Sequence, residues 1–435
     1  MHERFRYKTK DELLKKAHEL GVELPFSDDI SPLLQPAILD HSVVPNRLVV
    51  QPMEGYDSED DGSPSGLTIR RYLRYADGGS GMIWFEAVSV SSEGRSNPNQ
   101  LWINKSNISV FKSLNKQLRS TAEKHGIRPL LLIQLTHSGR YSKPYGKPHP
   151  LVASVNETLD KVAPHVLTDN ELKLIQDQYV EAAMLAAEAG FDAIDLKACH
   201  GYLMIETLAA SFRDDSIYGG ENPYTRFRFF LDTLDRIKAE VPGLLLTTRL
   251  NISDMYQGGF GISEDGGSDF TEPLLLVTEL EKRGIRLINI SMGSPYYNPH
   301  VTRPYDNPLP GQQLPDEHPM VGVMKMINGT ALFQRNFPEV YFVGSAYSWL
   351  RQYAPNVGAG VLNNHNASFI GFGRGSFAYP SMPLDLMKDG RADPSKVCIA
   401  CSGCTRLIRN LRPGGCVIRD REIYGNELKK LIDGK

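Results

Sequence analysis

Four cysteines near the end of the chain follow the pattern Cys398-x2-Cys401-x2-Cys404-x11-Cys416. Three thiolates in one tight loop can chelate three corners of a cubane while a fourth arrives from the next segment, as a [4Fe–4S] cluster requires. A four-cysteine zinc site is the competing reading, although zinc more often takes two separated Cys-x2-Cys knuckles. The fifth cysteine, Cys199, stands alone. A disulfide framework would spread its cysteines through a small secreted chain. Clustering in a long chain instead points to metal binding in a reducing compartment. Arg406, Arg409 and Arg412 follow the cysteines and can offset thiolate charge or simply be solvated.

Other residues with chemistry to offer sit just after short apolar runs. Lys197, His200, Gly201 and Tyr202 follow DAIDL. A phenol is a proton donor at neutral pH, and an imidazole beside it can stabilise charge developing on an oxygen. Gly344-Ser345 follows VYFVG and Gly373-Arg374 follows SFIGF. Glycine backbone N–H groups with a cation are what a phosphate needs. The plainer alternatives are a satisfied loop histidine, a packed tyrosine and glycines that only turn the chain.

Such residues must be held by a scaffold. Eight short, near-continuous apolar runs occur in order: Arg47–Pro52, Met82–Ala87, Pro129–Gln134, Asp192–Leu196, Leu244–Arg249, Leu287–Ser291, Val340–Gly344 and Ser368–Phe372. Strands buried on both faces read this way. Helical patterns lie between them. The clearest opens with a Thr168/Glu171 capping box, carries the stripe Leu172, Ile175, Tyr179, Ala182, Ala183 and Ala186, and ends at Gly190. Asn107 to His125 and Tyr224 to Glu240 also read as helices. The alternation predicts an α/β fold, a (β/α)8 TIM barrel, with its chemistry on loops after the strands' C-terminal ends. An open doubly wound sheet would follow its first strand with a glycine-rich phosphate loop. Here that place holds the acidic stretch MEGYDSEDDG. The expected division is an N-terminal helical extension over 1–29, the barrel over 30–390 and a cysteine segment over 391–435.

The 435 residues carry a net charge of −3, so no basic footprint points to nucleic acid. No apolar run is long enough to span a membrane. The N-terminus MHERFRYKTKDELLKKAHELG has no apolar signal region. It reads as an amphipathic leader helix that packs on the barrel or joins a homo-oligomer, and the expected location is cytoplasmic.

The motifs Pro52-Met53, Gln134-Leu-Thr-His137-Ser-Gly139-Arg140, Lys197 with His200-Gly201-Tyr202, and Gly373-Arg374, in this order and at these strand ends, resemble the Old Yellow Enzyme family. With the cysteines, the chain is similar to the iron–sulfur group that includes 2,4-dienoyl-CoA reductase and trimethylamine dehydrogenase. The resemblance runs from about Ile30 to Cys416. It implies an FMN-dependent oxidoreductase whose phosphate lies at Gly344-Ser345 and Gly373-Arg374. Arg249 then faces the flavin N1/O2 locus and Gln134 its pyrimidine edge, with Pro52, Met53, Glu54 and Ala87 lining the ring. The position of His200 hydrogen-bonds the substrate carbonyl in the family, and that of Tyr202 protonates the α-carbon. Lys197 and Glu54 depart from the family pattern; a carboxylate at 54 suits a reduced flavin only if protonated or paired with Lys197.

The resemblance therefore implies an ene-reductase acting on a small-molecule enone, with electrons from NAD(P)H or from a separate electron-transfer protein. The relatives carry a nucleotide-binding module after the cysteines, and this chain is expected to lack it. Two alternatives stand: an oxidative dehydrogenase or amine demethylase passing electrons out through the cluster, and a non-catalytic electron-transfer subunit. Tyr296, Tyr297 and Tyr305 are candidates for an aromatic box around a cation or for stacking on a flat substrate, which Lys197 and Arg303 favour.

Overall fold

A computed structural model describes residues 1–434; Lys435, the last residue of the expected cysteine segment, lies outside them. Eight parallel strands close into a ring: Leu48–Val50 (β1), Met82–Ser89 (β2), Leu130–Thr136 (β3), Ala193–Leu196 (β4), Leu245–Asn251 (β5), Leu287–Ser291 (β6), Tyr341–Gly344 (β7) and Phe369–Phe372 (β8). Each pairs with its neighbours in sequence, and β8 returns to β1 through Ile370–Leu48 and Phe372–Val50. This is a (β/α)8 barrel. Its strands are buried on both sides because side chains alternate between an interior layer and the surrounding helices. Val49, Met82, Trp84, Leu132 and Phe369 form one interior cluster with Ala37, Leu39 and Val44 of a short antiparallel hairpin. That hairpin plugs the end of the barrel away from the loops that carry the chemistry.

The helix Asp169–Glu188 starts at a complete Thr168/Glu171 capping box and buries Leu172, Ile175, Tyr179, Ala182, Ala183 and Ala186. Gly190 follows its end at φ +82°, the left-handed conformation that glycine adopts without a Cβ penalty. The other two expected helices run Ile108–Glu123 and Pro223–Glu240. Among the described residues no helix is long and apolar enough to cross a membrane.

The N-terminal leader is helical only over Lys10–Glu19, where Thr9 and Glu12 form a capping box. Before it the chain is non-helical, and Phe5 and Tyr7 bury their rings against Trp349. Leu13 and Ala17 join the same cluster, so the leader packs on the barrel.

The C-terminal segment folds back over the barrel's loop end. Its helix Gly403–Arg409 and the helix Asn426–Ile432 flank a small core of Leu407, Val417 and Tyr424. It docks through Gly414 N–H to Gly55 O at 2.6 Å and through Asp420, which accepts from Arg70 and Arg74 at 2.7 and 2.6 Å.

Candidate functional site

The loops after β1, β4, β6, β7 and β8, the ends of β3 and β5 and the helix Gly403–Arg409 surround one cleft at the C-terminal end of the barrel. Pro52, Met53, Glu54, Gln134, Lys197, His200, Tyr202, Arg249, Ser345, Gly373 and Arg374 all line it. Ala87 and Gly344 do not. Ala87 is buried in β2, its carbonyl accepting from Gln100 Nε2 at 3.0 Å. A Cβ on Gly344 would collide with the Tyr347 hydroxyl, so this glycine lets the ring pack under the turn.

Past β4 the backbone turns sharply. His200 and Gly201 are both left-handed, at φ +65° and +74°, a conformation that non-glycine residues hold only when the surroundings fix it. The turn sends Tyr202 across the cleft to Glu54. The Tyr202 hydroxyl donates to Glu54 Oε1 at 2.9 Å, and Lys197 Nζ lies 3.4 Å from the same oxygen. Ser96 donates to Oε2 at 3.1 Å. Glu54 is therefore paired, as its position requires. Burial, followed by the charge of Glu54, holds the Tyr202 phenol far above its ordinary pKa. His200 Nε2 is 2.9 Å from Ser291 Oγ. Burial, with Arg249 and Lys197 beside it, keeps this imidazole well below its usual range, so the ring is neutral.

Deeper in the cleft, buried Asp195 organises β2 to β5. It accepts from Gln134 Nε2 at 2.6 Å, Trp84 Nε1 at 2.8 Å and the Arg249 N–H at 2.6 Å. Burial raises its carboxyl to about 6. Arg249 Nε and Arg374 Nη1 are buried without a hydrogen-bond partner, a costly state for a guanidinium. These two unsatisfied cations mark two places where an anionic ligand atom is wanted. Near Arg374 stand Ser345, Ser348 and the left-handed Ala346 at φ +76°. A Cβ at Gly373 would approach Met53 Sδ to 3.0 Å, so the backbone here runs close against the cleft floor. The residues present fit a flavin mononucleotide: an anionic pyrimidine locus at Arg249 and a phosphate at Arg374.

The four cysteines line a second cavity, with Arg374 also in its wall. Ala400 and Ser402 are left-handed at φ +52° and +60°, which coils the loop around Cys401. Two backbone N–H groups point at sulfur, Ala400 to Cys398 Sγ and Arg419 to Cys416 Sγ, each at 3.4 Å. The Ala400 carbonyl accepts from Asp306 N–H at 3.0 Å, so the β6 loop holds the cysteine loop in place. Among the described residues no three His, Cys, Asp or Glu side chains converge on a point that would hold a single ion. The thiols surround a space instead, and burial pushes Cys398 up to about 12. A thiolate there needs a cationic centre, and four sulfur donors are a set that a zinc ion or an iron–sulfur cluster would take.

Arg374 acts electrostatically on Cys398 and Cys401, and Arg303 on Cys404. Arg409 turns away from them and lines the cleft. The three tyrosines do not form a box either. Tyr296 lines the cleft and stacks on Tyr141 at 3.8 Å. Tyr297 is half exposed against Tyr256, and Tyr305 is buried beside Arg303. Sequence reasoning also passed over Tyr56 and Ser348. The one readable signal was the 405, 408, 409 spacing, which places Thr405, Ile408 and Arg409 on a single helix face.

The NADH:flavin oxidoreductase / NADH oxidase family model matches residues 32–307. An NADPH dehydrogenase of Bacillus pumilus is 31% identical over 268 residues, covering 60% of this chain and 73% of that protein. An NADH oxidase of Thermoanaerobacter brockii is 28% identical over 392 residues, covering 85% of this chain and 53% of its own length. Among solved structures, 2-naphthoyl-CoA reductase in complex with 2-naphthoyl-CoA superposes with a TM-score of 0.74 at 18% identity, over 92% of this chain and 58% of that one. The chain thus spans little more than half the length of these last two proteins.

Proposed function

The chain belongs to the NADH:flavin oxidoreductase / NADH oxidase family and is a flavin-dependent oxidoreductase of the Old Yellow Enzyme type; on that premise we propose that it reduces the C=C bond of an α,β-unsaturated carbonyl compound with FMN, and that a [4Fe–4S] cluster relays the electrons. The observation that carries this reading is the convergence of His200, Tyr202, Arg249 and Arg374 on one cleft. FMN, when bound, supplies the hydride. In this reading Arg374, Ser345 and Gly373 hold its phosphate, and Arg249 and Gln134 its pyrimidine edge. His200 donates a hydrogen bond to the substrate carbonyl oxygen, where negative charge grows as the β-carbon is reduced. Tyr202 gives its proton to the α-carbon, and Lys197 holds Glu54 so that the phenol stays in place.

The cysteine segment supports the relay. Arg374 lines both cavities, so the proposed phosphate site and the proposed cluster share a wall. Electrons then reach the cluster from a separate electron-transfer protein; the rival route is a direct hydride from NAD(P)H to FMN. The same reading divides the chain into a leader at 1–29, the flavin barrel at 30–390 and the cluster segment at 391–435. Amine oxidation is disfavoured by Arg409, which lines the cleft and repels a cationic substrate.

The test is anaerobic purification followed by assay with reduced viologen and benzylideneacetone. Flavin bands, about four irons per chain and formation of the saturated ketone support the proposal. Protein that binds FMN but leaves every enone untouched removes the ene-reductase assignment.

A further inference from the structure

Thr405, Ile408 and Arg409 face the cleft from the cysteine-bearing helix. The Arg409 guanidinium carbon lies 4.0 Å from the Tyr296 ring centroid. Tyr141 already stacks on one face of that ring, so Arg409 covers the other. Its Nη2 donates to the Pro295 carbonyl at 2.7 Å, a neutral partner. Tyr296 in turn touches Tyr202, hydroxyl to hydroxyl, at 3.1 Å. Arg409 therefore stands one aromatic ring away from the residue assigned as proton donor.

Arg409 lines the cleft, and Lys143, outside the lining, lies within electrostatic reach of it. Among the described residues, no ion pair involves Arg409, Lys143 or Lys161. Lys143 is half-buried, and burial, then Arg409, then Lys161 hold its pKa below the ordinary value. The one carboxylate in the cleft lining, Glu54, has both oxygens engaged by Tyr202, Lys197 and Ser96. Arg303 and Arg374 lie toward the proposed phosphate and cluster. The ring and hydrogen-bond partners of Arg409 are phenols and a carbonyl. Clefts lined by one sign of charge concentrate ligands of the opposite sign.

We propose that Arg409 receives an anionic group of the substrate. The class is then an unsaturated carbonyl compound carrying a carboxylate or a phosphate away from its reacting double bond. A planar ring against Tyr296 would sit between the two ends. This rests on the ene-reductase reading for what happens at Tyr202, but the anion site itself is independent of turnover.

The experiment measures binding of saturated ketones to the FMN-loaded protein by calorimetry at low salt. The ligands are benzylacetone, its para-carboxy derivative and the phosphate ester of its para-hydroxy derivative. The expected result is that at least one charged ketone binds about tenfold or more tightly than benzylacetone, the size of a charge-assisted hydrogen bond. Arg409→Gln brings that ratio toward one. Lys143→Gln, on a separate loop, lowers it as well and stands in should the first variant fold poorly. Whichever charged ligand binds tighter distinguishes a carboxylate from a phosphate source. A ratio near one in the native protein, or one that neither variant changes, overturns the proposal. Failure to reduce benzylideneacetone would remove the ene-reductase reading without touching this ratio.

Discussion

The Tyr202 hydroxyl donates to Glu54 Oε1 at 2.9 Å across the mouth of the barrel, joining the loop after β4 to the loop after β1. Lys197 binds the same carboxylate and sits 3.3 Å from the centroid of the Tyr202 ring. The three residues form one unit: the lysine neutralises the acid, and the acid fixes the phenol. In the proposed reading, this pairing makes a carboxylate beside a negatively charged reduced flavin tolerable.

Removing the phenol tests its assigned role. Tyr202→Phe is expected to lower kcat by about 10²- to 10⁴-fold, the usual contribution of a positioned acid, with flavin content unchanged. An unchanged kcat in stopped-flow assay would take Tyr202 out of the reaction.

The Glu54 charge is one of the causes that raise the Tyr202 pKa. The native enzyme should therefore show no alkaline loss of kcat up to about pH 10, the ordinary tyrosine value. In Glu54→Gln the negative charge is gone, ionisation of the phenol becomes easier, and an alkaline limb should move to lower pH. Identical kcat–pH profiles for the two proteins would contradict this coupling.

Arg374 carries a buried guanidinium nitrogen without a partner. Arg374→Gln is expected to raise the FMN Kd about 10- to 100-fold, the value of a hydrogen bond to a charged group. Flavin fluorescence on titrating stripped protein measures it. Unaltered affinity would place the phosphate elsewhere.

Cys401→Ser and Cys416→Ser are each expected to drop iron from about four per chain to near zero while flavin remains bound. Metal analysis that finds one zinc in the native protein, and no iron, would replace the cluster by a structural zinc site.

The barrel was legible because each strand is a short apolar run of its own, and burial on both faces leaves no polar alternation to confuse it. The cleft was legible where a motif carries its own turn, as His200-Gly201 does with two left-handed residues. Long-range pairings were not. Nothing local to Glu54 announces Tyr202, 148 positions away, and the arginines after Cys404 look alike in sequence. Only the packing of their short helix sends Arg409 into the cleft and leaves Arg374, from β8, beside the thiols. Ala87 and Gly344 were placed by analogy with strand ends, where a one-residue change of register decides which side a residue faces.

His137, in the loop after β3, provides a pH-dependent test of the scaffold. It is fully buried; its Nδ1 accepts from Gly139 N–H at 3.2 Å, and Nε2 has no partner. Burial lowers its pKa from 6.5 to about 4. Between those values the unfolded chain binds a proton that the folded chain refuses, so stability falls as pH drops from 6.5 toward 4 and is fully present above 6.5. The integrated contribution is about 3 kcal/mol. His137→Asn keeps an acceptor for Gly139 but cannot be protonated. The raised carboxyls of Asp195 and Glu206 lie in both proteins, so the difference between them reports the histidine together with its coupling to Glu93. Thermal melts at about pH 7.5 and about pH 5 should show a smaller loss of Tm for His137→Asn than for the native chain. Equal losses would mean that this imidazole already takes up its proton in the folded state.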